Sequence, residues 1–488
     1  MSAPVVVIGG GPTGVSAATL LGRSGVEVLL LDRWAEVYPQ PRAVHLDAEV
    51  MRILSRVGIA EEFAAVSRPC LGLRLQEADG RVLAVFERPP DLDRDGHPAA
   101  NMFDQPVLEG LLRANLASVP QVQLRTRVEV TNVAQVDDEG VIVEFTDLDT
   151  GERESVRASY VLGCDGANSV VRRCIGASML DLHFEQRWLV IDIDSDADLD
   201  QWDGVHQVCD SRRAATYMRV GQRRYRWEFQ LLDDEEPATT LEGLWPLLTP
   251  WTSGVSPADL EVVRIATYTF KARIADRWRD RRVFLLGDAA HLTPPFVGQG
   301  LCAGLRDSAN LAWKIAGVLR GDLQESALDS YEIERRPHAR AMITLAMFIG
   351  SAMTRGGRLG ALARRSLLPL LDRLPGGAGN VIKSQTPRLT SSVLAPRRGP
   401  RGLVGTLCPN AVVDGEARLD ALAGYGWALV TAEAGQSFDE TLVVVDGQSQ
   451  LGRWLSAAGV TSALVRPDGT VACTGTAAEV TRRLQLAG

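Results

Sequence analysis

Gly9, Gly11 and Gly14 fall in the stretch GGGPTG, with Pro12 and Thr13 between them, and Asp32 stands 18 residues after Gly14. Glycines at this spacing allow a tight turn and let a helix N-terminus approach a pyrophosphate, whose charge suits unpaired amides, while the acid suits a ribose hydroxyl. That pattern specifies a dinucleotide without saying which one. Two further stretches separate nicotinamide from flavin. YVLGCDGANSVVR, Tyr160 to Arg172, puts Asp165-Gly166 just past an apolar run, and RVFLLGDAAHLTPPFVGQG, Arg282 to Gly300, puts Gly287-Asp288 past another. A carboxylate after the second run can hold sugar-alcohol hydroxyls. The helix expected after PPFVGQG offers amides to a ring that becomes anionic on reduction, a feature a flavin needs and NAD does not.

The elements that must position these groups read as a parallel α/β sheet. Val5 to Ile8 is a buried strand, Val15 to Ser24 a helix and Val26 to Leu31 a second strand, joined by the glycine turn. Tyr160 to Cys164 and Arg282 to Leu286 add two more buried strands, the latter leading into a helix from about Leu301 to Leu319. Val122 to Val143 and Trp188 to Leu232 alternate in the manner of antiparallel strands. Residues 340 to 374 read as helix, PGG at 375 to 377 breaks it, and 384 to 405 is rich in Pro, Arg and Gly. Four short strands and a helix from Gln448 to Ala457 follow.

The chain has 488 residues, 45% of them hydrophobic, and carries 52 basic against 61 acidic side chains, a net charge of −9. Such a chain folds around a sizeable core, and its acidity argues against a nucleic-acid partner. Seven cysteines without a Cys-x-x-Cys pair suggest neither a disulfide framework nor a metal site. With no apolar run long enough for a signal peptide or a membrane span, a cytoplasmic location is expected.

GGGPTG with LLLDRW, YVLGCDGANSVVR, and RVFLLGDAAHLTPPFVGQG followed by LRDSANLAWKI resemble the three fingerprints of the class A flavoprotein aromatic monooxygenases, the p-hydroxybenzoate hydroxylase superfamily. The resemblance spans roughly residues 1 to 345. PRAVHLDAEVMRIL, YRWEF and TPPFVGQGLCAGLRD look most like the 3-(3-hydroxyphenyl)propionate hydroxylase branch, with polyketide hydroxylases sharing these features. The final segment is similar to the thioredoxin-like domain appended in phenol and polyketide hydroxylases, without a redox cysteine pair.

The resemblance implies a Rossmann-like FAD-binding domain over 1–175 and 271–384 and an inserted, mostly antiparallel substrate sheet over 176–270. A linker over 385–405 and a thioredoxin-like α/β domain over 406–488 complete the layout. It implies that Gly9, Gly11, Pro12, Thr13 and Gly14 surround the FAD pyrophosphate, that Asp32 and Arg33 flank the adenosine ribose, and that Arg42 and Gln105 hold phosphates and ribityl chain. Gly287 and Asp288 would meet the ribityl hydroxyls, and Pro295, Gly298, Gly300, Leu301 and Cys302 the pyrimidine edge. Many members have Asn where Cys302 stands, so only backbone amides remain there. Asp165 would support FAD and touch the nicotinamide cofactor.

The implied activity is hydroxylation of a phenolic small molecule with NADH or NADPH and O2, through a flavin 4a-hydroperoxide. With a single dinucleotide fold, NAD(P)H would bind transiently. Pro294 would contact substrate. His45 either tunes or deprotonates a phenol or is a satisfied helix histidine. Tyr217, Arg219 and Trp227 either roof the substrate, with Tyr217 close to the chemistry, or simply pack in a sheet. His291 reads as a loop-stabilising residue. Two other functions compete: a polyketide tailoring oxygenase performing epoxidation or Baeyer-Villiger insertion, and a non-catalytic FAD-binding escort protein. A homodimer is consistent with the family, and the Arg-rich helix after residue 340 reads as a docking helix rather than a membrane anchor.

Overall fold

A computed structural model describes residues 3–485 except 41, 89, 137–139, 211, 253, 355–387, 390–401, 416, 425 and 439–440. The expected helix beyond Thr354, the PGG break and most of the expected linker lie outside the described residues.

A six-stranded sheet sits at the centre of the first unit, in the order Arg279–Asp280, Val283–Leu285, Tyr160–Gly163, Val5–Ile8, Val28–Leu31, Val122–Arg125. All its neighbours run parallel except the short first pair. The strands Val5–Ile8 and Tyr160–Gly163 are buried along their whole length, as expected of a sheet covered on both faces. Pro12–Arg23 packs on one side, against the long helix Gly300–Arg320. The expected antiparallel stretch from Val122 divides: Val122–Arg125 joins the parallel sheet, and only Val128–Gln135, Val141–Asp147 and Arg153–Ala158 form an antiparallel sheet of their own.

The second sheet has eight strands, ordered His291–Leu292, Glu261–Ala275, Met179–Asp194, Arg224–Gln230, Ala215–Arg219, Val205–Val208, Gly72–Gln76, Val82–Glu87. It is not built from the insertion alone: Gly72–Gln76 comes from the N-terminal part of the chain and pairs in parallel with Val205–Val208. One face carries Leu189, Ile191, Tyr217, Tyr225, Trp227 and Phe229, which form a separate core with Leu244 and Leu248 of the helix Leu241–Leu248. Successive side chains alternate faces, so Trp188, Val190, Asp192, Thr216, Met218, Arg226 and Glu228 point the other way, toward the first unit.

Among the described residues the C-terminal unit has a four-stranded sheet in the order Thr441–Val444, Ala428–Thr431, Ser462–Val465, Val471–Gly475, the first pair parallel and the others antiparallel, besides the short pair Val412–Val413 and Ala417–Arg418. Its outer apolar side packs on the first unit, where Trp313 meets Trp427 edge to face with ring centres 5.6 Å apart. The same interface buries a charge network: Arg466 makes paired bonds of 2.8 and 2.9 Å to Glu334, and Lys314 donates to Glu334 at 2.9 Å. Arg52 reaches from the helix Ala48–Val57 to Asp420 and to the Cys408 carbonyl.

Candidate active site

The glycine turn lies at the carboxyl end of Val5–Ile8, where an open α/β sheet leaves its crevice. Gly9 has φ +107°, and a Cβ there would fall 2.3 Å from the Cys164 carbonyl oxygen. A Cβ on Gly14 would fall 1.9 Å from the Gly9 oxygen, so both glycines serve close packing of the turn. Gly11 differs: nothing lies within 4 Å of its added Cβ. It is the N-cap of Pro12–Arg23, and neither a side-chain cap nor an acid in the first turn competes for the free amides. Thr13 packs beneath Gly287, whose Cβ would lie 2.9 Å from its hydroxyl.

A second uncapped helix faces the same cleft. Gly300–Arg320 starts without a side-chain cap or first-turn acid, behind a turn in which Gly298 adopts φ +64°. A side chain at Gly298 would begin 2.9 Å from His45 Nδ1, so the glycine lets the turn close over the histidine. Pro294 is buried and Pro295 opens the short turn before the helix. The helix start is braced from behind: Arg306 bonds Asp47 at 2.5 Å, Glu49 at 2.5 Å and Gln299 at 2.9 Å, and Gln299 donates to Asp47 at 2.9 Å. Asp47 also caps Ala48–Val57 through the Val50 amide. Sequence reasoning missed this brace, although Arg306 stands in the quoted LRDSAN stretch.

Asp288 follows Gly287, which packs on Thr13 in the first turn of one helix and against Gly304 in the first turns of the other. Its surface is exposed, yet protein surrounds it, and the resulting desolvation pushes its pKa up while the nearby His291 and Arg42 charges act against that. An open carboxyl deep in the protein marks the floor of a cleft. Arg42 lies over the Tyr38 ring at 5.0 Å, half exposed, with Glu109 4.0 Å away. Asp32 is buried and paired with Arg113, which also donates to the Gly10 carbonyl at 3.2 Å. The cleft therefore holds two sets of free helix amides, an open glycine step and two carboxyls, one paired with Arg113 and one open, a set that fits the phosphates and hydroxyls of FAD.

Other expected residues have more local duties. Gln105 accepts from the Ala43 amide and donates to Glu109, both at 2.6 Å, tying its helix to the segment after Arg42. Asp165 accepts from the Val170 and Val171 amides, which caps Val170–Cys174, while its Oδ1 is buried without a partner. Arg33 is half exposed beside Glu129 and Trp34. His291 bonds Asp307 at 2.8 Å, and Asp307 bonds Arg335 at 2.8 Å, a structural chain that also holds the Gly287 amide. Cys302 is fully buried, and burial with the nearby Asp47 charge pushes its thiol far up, so it stays neutral.

His45 is buried, and burial first, then the Arg88 charge, lowers its pKa to about 4. A guanidinium only donates, so Nε2 accepts from Arg88 at 3.4 Å and the ring proton sits on Nδ1, buried without a partner beside Gly298. The histidine is thus a neutral group at neutral pH.

The expectation for Tyr217, Arg219 and Trp227 needs correction. All three lie on the sheet face turned away from the cleft: Tyr217 and Trp227 belong to the second core, and Arg219 lies over the Tyr225 ring at 5.5 Å. The face toward the cleft carries their chain neighbours. Arg226 holds Asp192 at 2.6 and 3.1 Å and reaches the Arg42 carbonyl at 2.7 Å, and Arg264 flanks Asp192 at 3.1 Å. The signal was present in YRWEF, where aromatic and charged residues alternate and so must face opposite ways.

A family model described as FAD binding domain matches residues 2–346. A probable NADH-specific resorcinol 4-hydroxylase of Rhodococcus jostii is 34% identical, over 96% of this chain and 91% of that protein. A 3-(3-hydroxy-phenyl)propionate/3-hydroxycinnamic acid hydroxylase of Burkholderia cenocepacia is 38% identical, over 76% of this chain and 68% of its own length. Among solved structures, aklavinone-11 hydroxylase with FAD and aklavinone aligns with TM-score 0.81 at 25% identity, covering 99% of this chain and 98% of that one.

Proposed function

The chain belongs to the FAD-binding domain family matched over residues 2–346, and from that premise we propose that it is an NADH-dependent hydroxylase of a small phenolic compound. The observation that carries this reading is the pair of uncapped helix starts, at Gly11 and Gly300, on two helices that pack together, with Gly287 of the Gly287-Asp288 turn against the first turns of both. The relatives named for resorcinol and hydroxyphenylpropionate support the phenolic acceptor, and the name of the first supports NADH.

In this reading Gly11, Thr13 and the amides after them hold the pyrophosphate, Asp32 the adenosine ribose and Asp288 the ribityl chain. The Leu301 and Cys302 amides take the pyrimidine edge, where the positive helix end favours an anionic ring. Bound FAD supplies the acceptance of electrons from NADH and the activation of O2. The protein orients the phenol and keeps water out: Phe296, just before the helix start, meets Trp188 edge to face at 5.6 Å and Phe270 at 6.3 Å. His45, neutral beside the turn with its Nδ1 proton toward Gly298, serves as a hydrogen-bond donor near the pyrimidine edge rather than as a base. Pro294 lines the same turn.

The test is an FAD-loaded preparation supplied with NADH and phenols. Substrate-dependent NADH oxidation, with a product one oxygen heavier, is expected, and a protein that takes up no FAD overturns the reading. A second reading, oxygenation of a polycyclic phenol, draws on the likeness to aklavinone-11 hydroxylase over nearly the whole of both chains. The same assay with polycyclic acceptors separates the two.

The proposal extends to the finer layout: an FAD-binding unit in two segments, a substrate sheet and a thioredoxin-like C-terminal unit, in a cytoplasmic homodimer. The second-first-third-fourth strand order of the last unit, with its first two strands parallel, supports the thioredoxin-like reading. Among the described residues no helix is long and apolar enough to cross a membrane.

A further inference from the structure

One row of side chains crosses three neighbouring strands on the cleft-facing side of the eight-stranded sheet. Gln207 pairs with Thr216, and Thr216 with Glu228, each directly opposite the next. Directly opposite side chains start about 5 Å apart, comparable with the separation of two meta hydroxyls on one ring. Both ends of the row reach the cleft. Gln207 donates its amide to the Phe296 carbonyl at 3.1 Å, in the turn before the helix at Gly300. Glu228 shares its face with Arg226, which bonds the Arg42 carbonyl.

The chemistry of the row is one-sided. Because the Phe296 oxygen can only accept, Gln207 must turn its NH2 toward it, which leaves Oε1 as an acceptor. That oxygen is buried without a partner, on a residue only 2% exposed. Among the described residues no hydrogen bond reaches the Glu228 carboxyl; its nearest cation is Arg226, 3.8 Å away. Desolvation pushes the Glu228 pKa up, with Arg226 opposing. The arginines of these strands on this face are committed to acids, Arg226 and Arg264 to Asp192 and Arg224 to Asp194 and Asp104, and Arg226 reaches the Arg42 carbonyl as well. The row therefore presents two acceptors with a hydroxyl between them, and the arginines on this face of the strands around Glu228 are each matched by an acid, while Arg88 at the sheet's edge reaches His45 and Cys70.

We infer that Gln207, Thr216 and Glu228 form the recognition row for the acceptor ring, and that it selects an uncharged polyhydroxyphenol by its hydroxyls while disfavouring a phenol that carries a carboxylate. This rests on the proposed function and gives its substrate a narrower class. A neutral diol brings the donors the row lacks. A carboxylate brings a second negative charge to Glu228 and finds no counter-ion there, at a desolvated site where like charges repel strongly.

The experiment uses the full-length, FAD-loaded protein, titrated with resorcinol and with 3-(3-hydroxyphenyl)propionate and followed by the change in flavin absorbance. Resorcinol is expected to bind at least about tenfold more tightly. Glu228→Gln is expected to weaken resorcinol about tenfold, the order of loss for a hydrogen bond to a charged group, and to narrow the gap between the two ligands. Tighter binding of the carboxylated phenol by the native protein, no binding of either, or an unchanged ratio in Glu228→Gln overturns the inference. Should Glu228→Gln take up no FAD, the native ratio together with Thr216→Val decides, with a several-fold loss of resorcinol affinity expected. Preferential binding of resorcinol without NADH oxidation by any phenol would overturn the proposed hydroxylation and leave the recognition row standing.

Discussion

Thr216 and Tyr217 are neighbours in the chain, yet they belong to opposite economies of the same sheet. The face that holds Tyr217 is finished: Trp227, Phe229, Leu244 and Leu248 close a dry core, and His206 stacks on Tyr217 with ring centres 4.2 Å apart. The face that holds Thr216 is unfinished, with a partnerless Gln207 oxygen and a Glu228 carboxyl without a hydrogen bond among the described residues. Each face buries a polar atom without a partner, Trp227 Nε1 on the first and Gln207 Oε1 on the second, but only the second adds a carboxyl to it, and that concentration of acceptors separates the surface that meets a ligand from the surface that holds the sheet together.

The largest expected effect tests whether the charges on the cleft face are structural or functional. Asp192→Asn leaves Arg226 and Arg264 buried around a neutral group and should cost about 3–5 kcal/mol, read from the denaturant midpoint. A loss below about 1 kcal/mol would mean that the pair of arginines does not depend on Asp192. On the other face, Trp227→Ala should cost about 3–5 kcal/mol through the cavity it leaves, while the KM of the folded fraction stays unchanged. A large rise in KM at intact stability would return Trp227 to the substrate site.

The next effect is a pH dependence on the finished face. Burial, foremost, lowers the His206 pKa to about 4 from its ordinary 6.5. Between those values the unfolded chain binds a proton that the folded one does not, so stability falls as pH drops through that window, by at most about 1.4 kcal/mol per pH unit. Urea midpoints measured from pH 7 to pH 4 should therefore decline less steeply for His206→Asn than for the native protein. Parallel slopes would show that His206 protonates without cost.

The smallest effect has the opposite sign. Because desolvation raises the Glu228 pKa, its charge works against folding once pH passes the carboxylate range. Glu228→Gln should raise the melting temperature at pH 7, by under about 1 kcal/mol of stability, and a clear fall would place Glu228 among the structural residues.

What could be read from the chain was local. The turn Gly9 to Gly14 and the stretch Gly287 to Cys302 announce themselves because a strand, a glycine turn and a helix start fall within a few residues of one another. Interactions between distant segments gave no such sign. Asp47 and Arg306 meet across 259 positions, and Gly72–Gln76 pairs with a strand some 130 residues later. The face of each residue in the large sheet was half legible: alternation in YRWEF separates Trp227 from Glu228, but it takes the folded sheet to say which set meets the cleft. Aromatic side chains near a flavin invite assignment to substrate, and here the second core claims them.

Arg466 carries one last consequence. Its guanidinium, 1% exposed, enters from the C-terminal unit to neutralise Glu334, which Lys314 of the long helix also contacts. The helix that turns its free amides toward the cleft at Gly300 is thus held near its middle by a residue encoded 152 positions later. Trimming the chain before Arg466 would take both Arg466 bonds from Glu334, which Lys314 and Asn310 also hold. Loss of the C-terminal unit is therefore expected to loosen the long helix as well as to expose the interface, read as a lower melting temperature of the FAD-loaded protein.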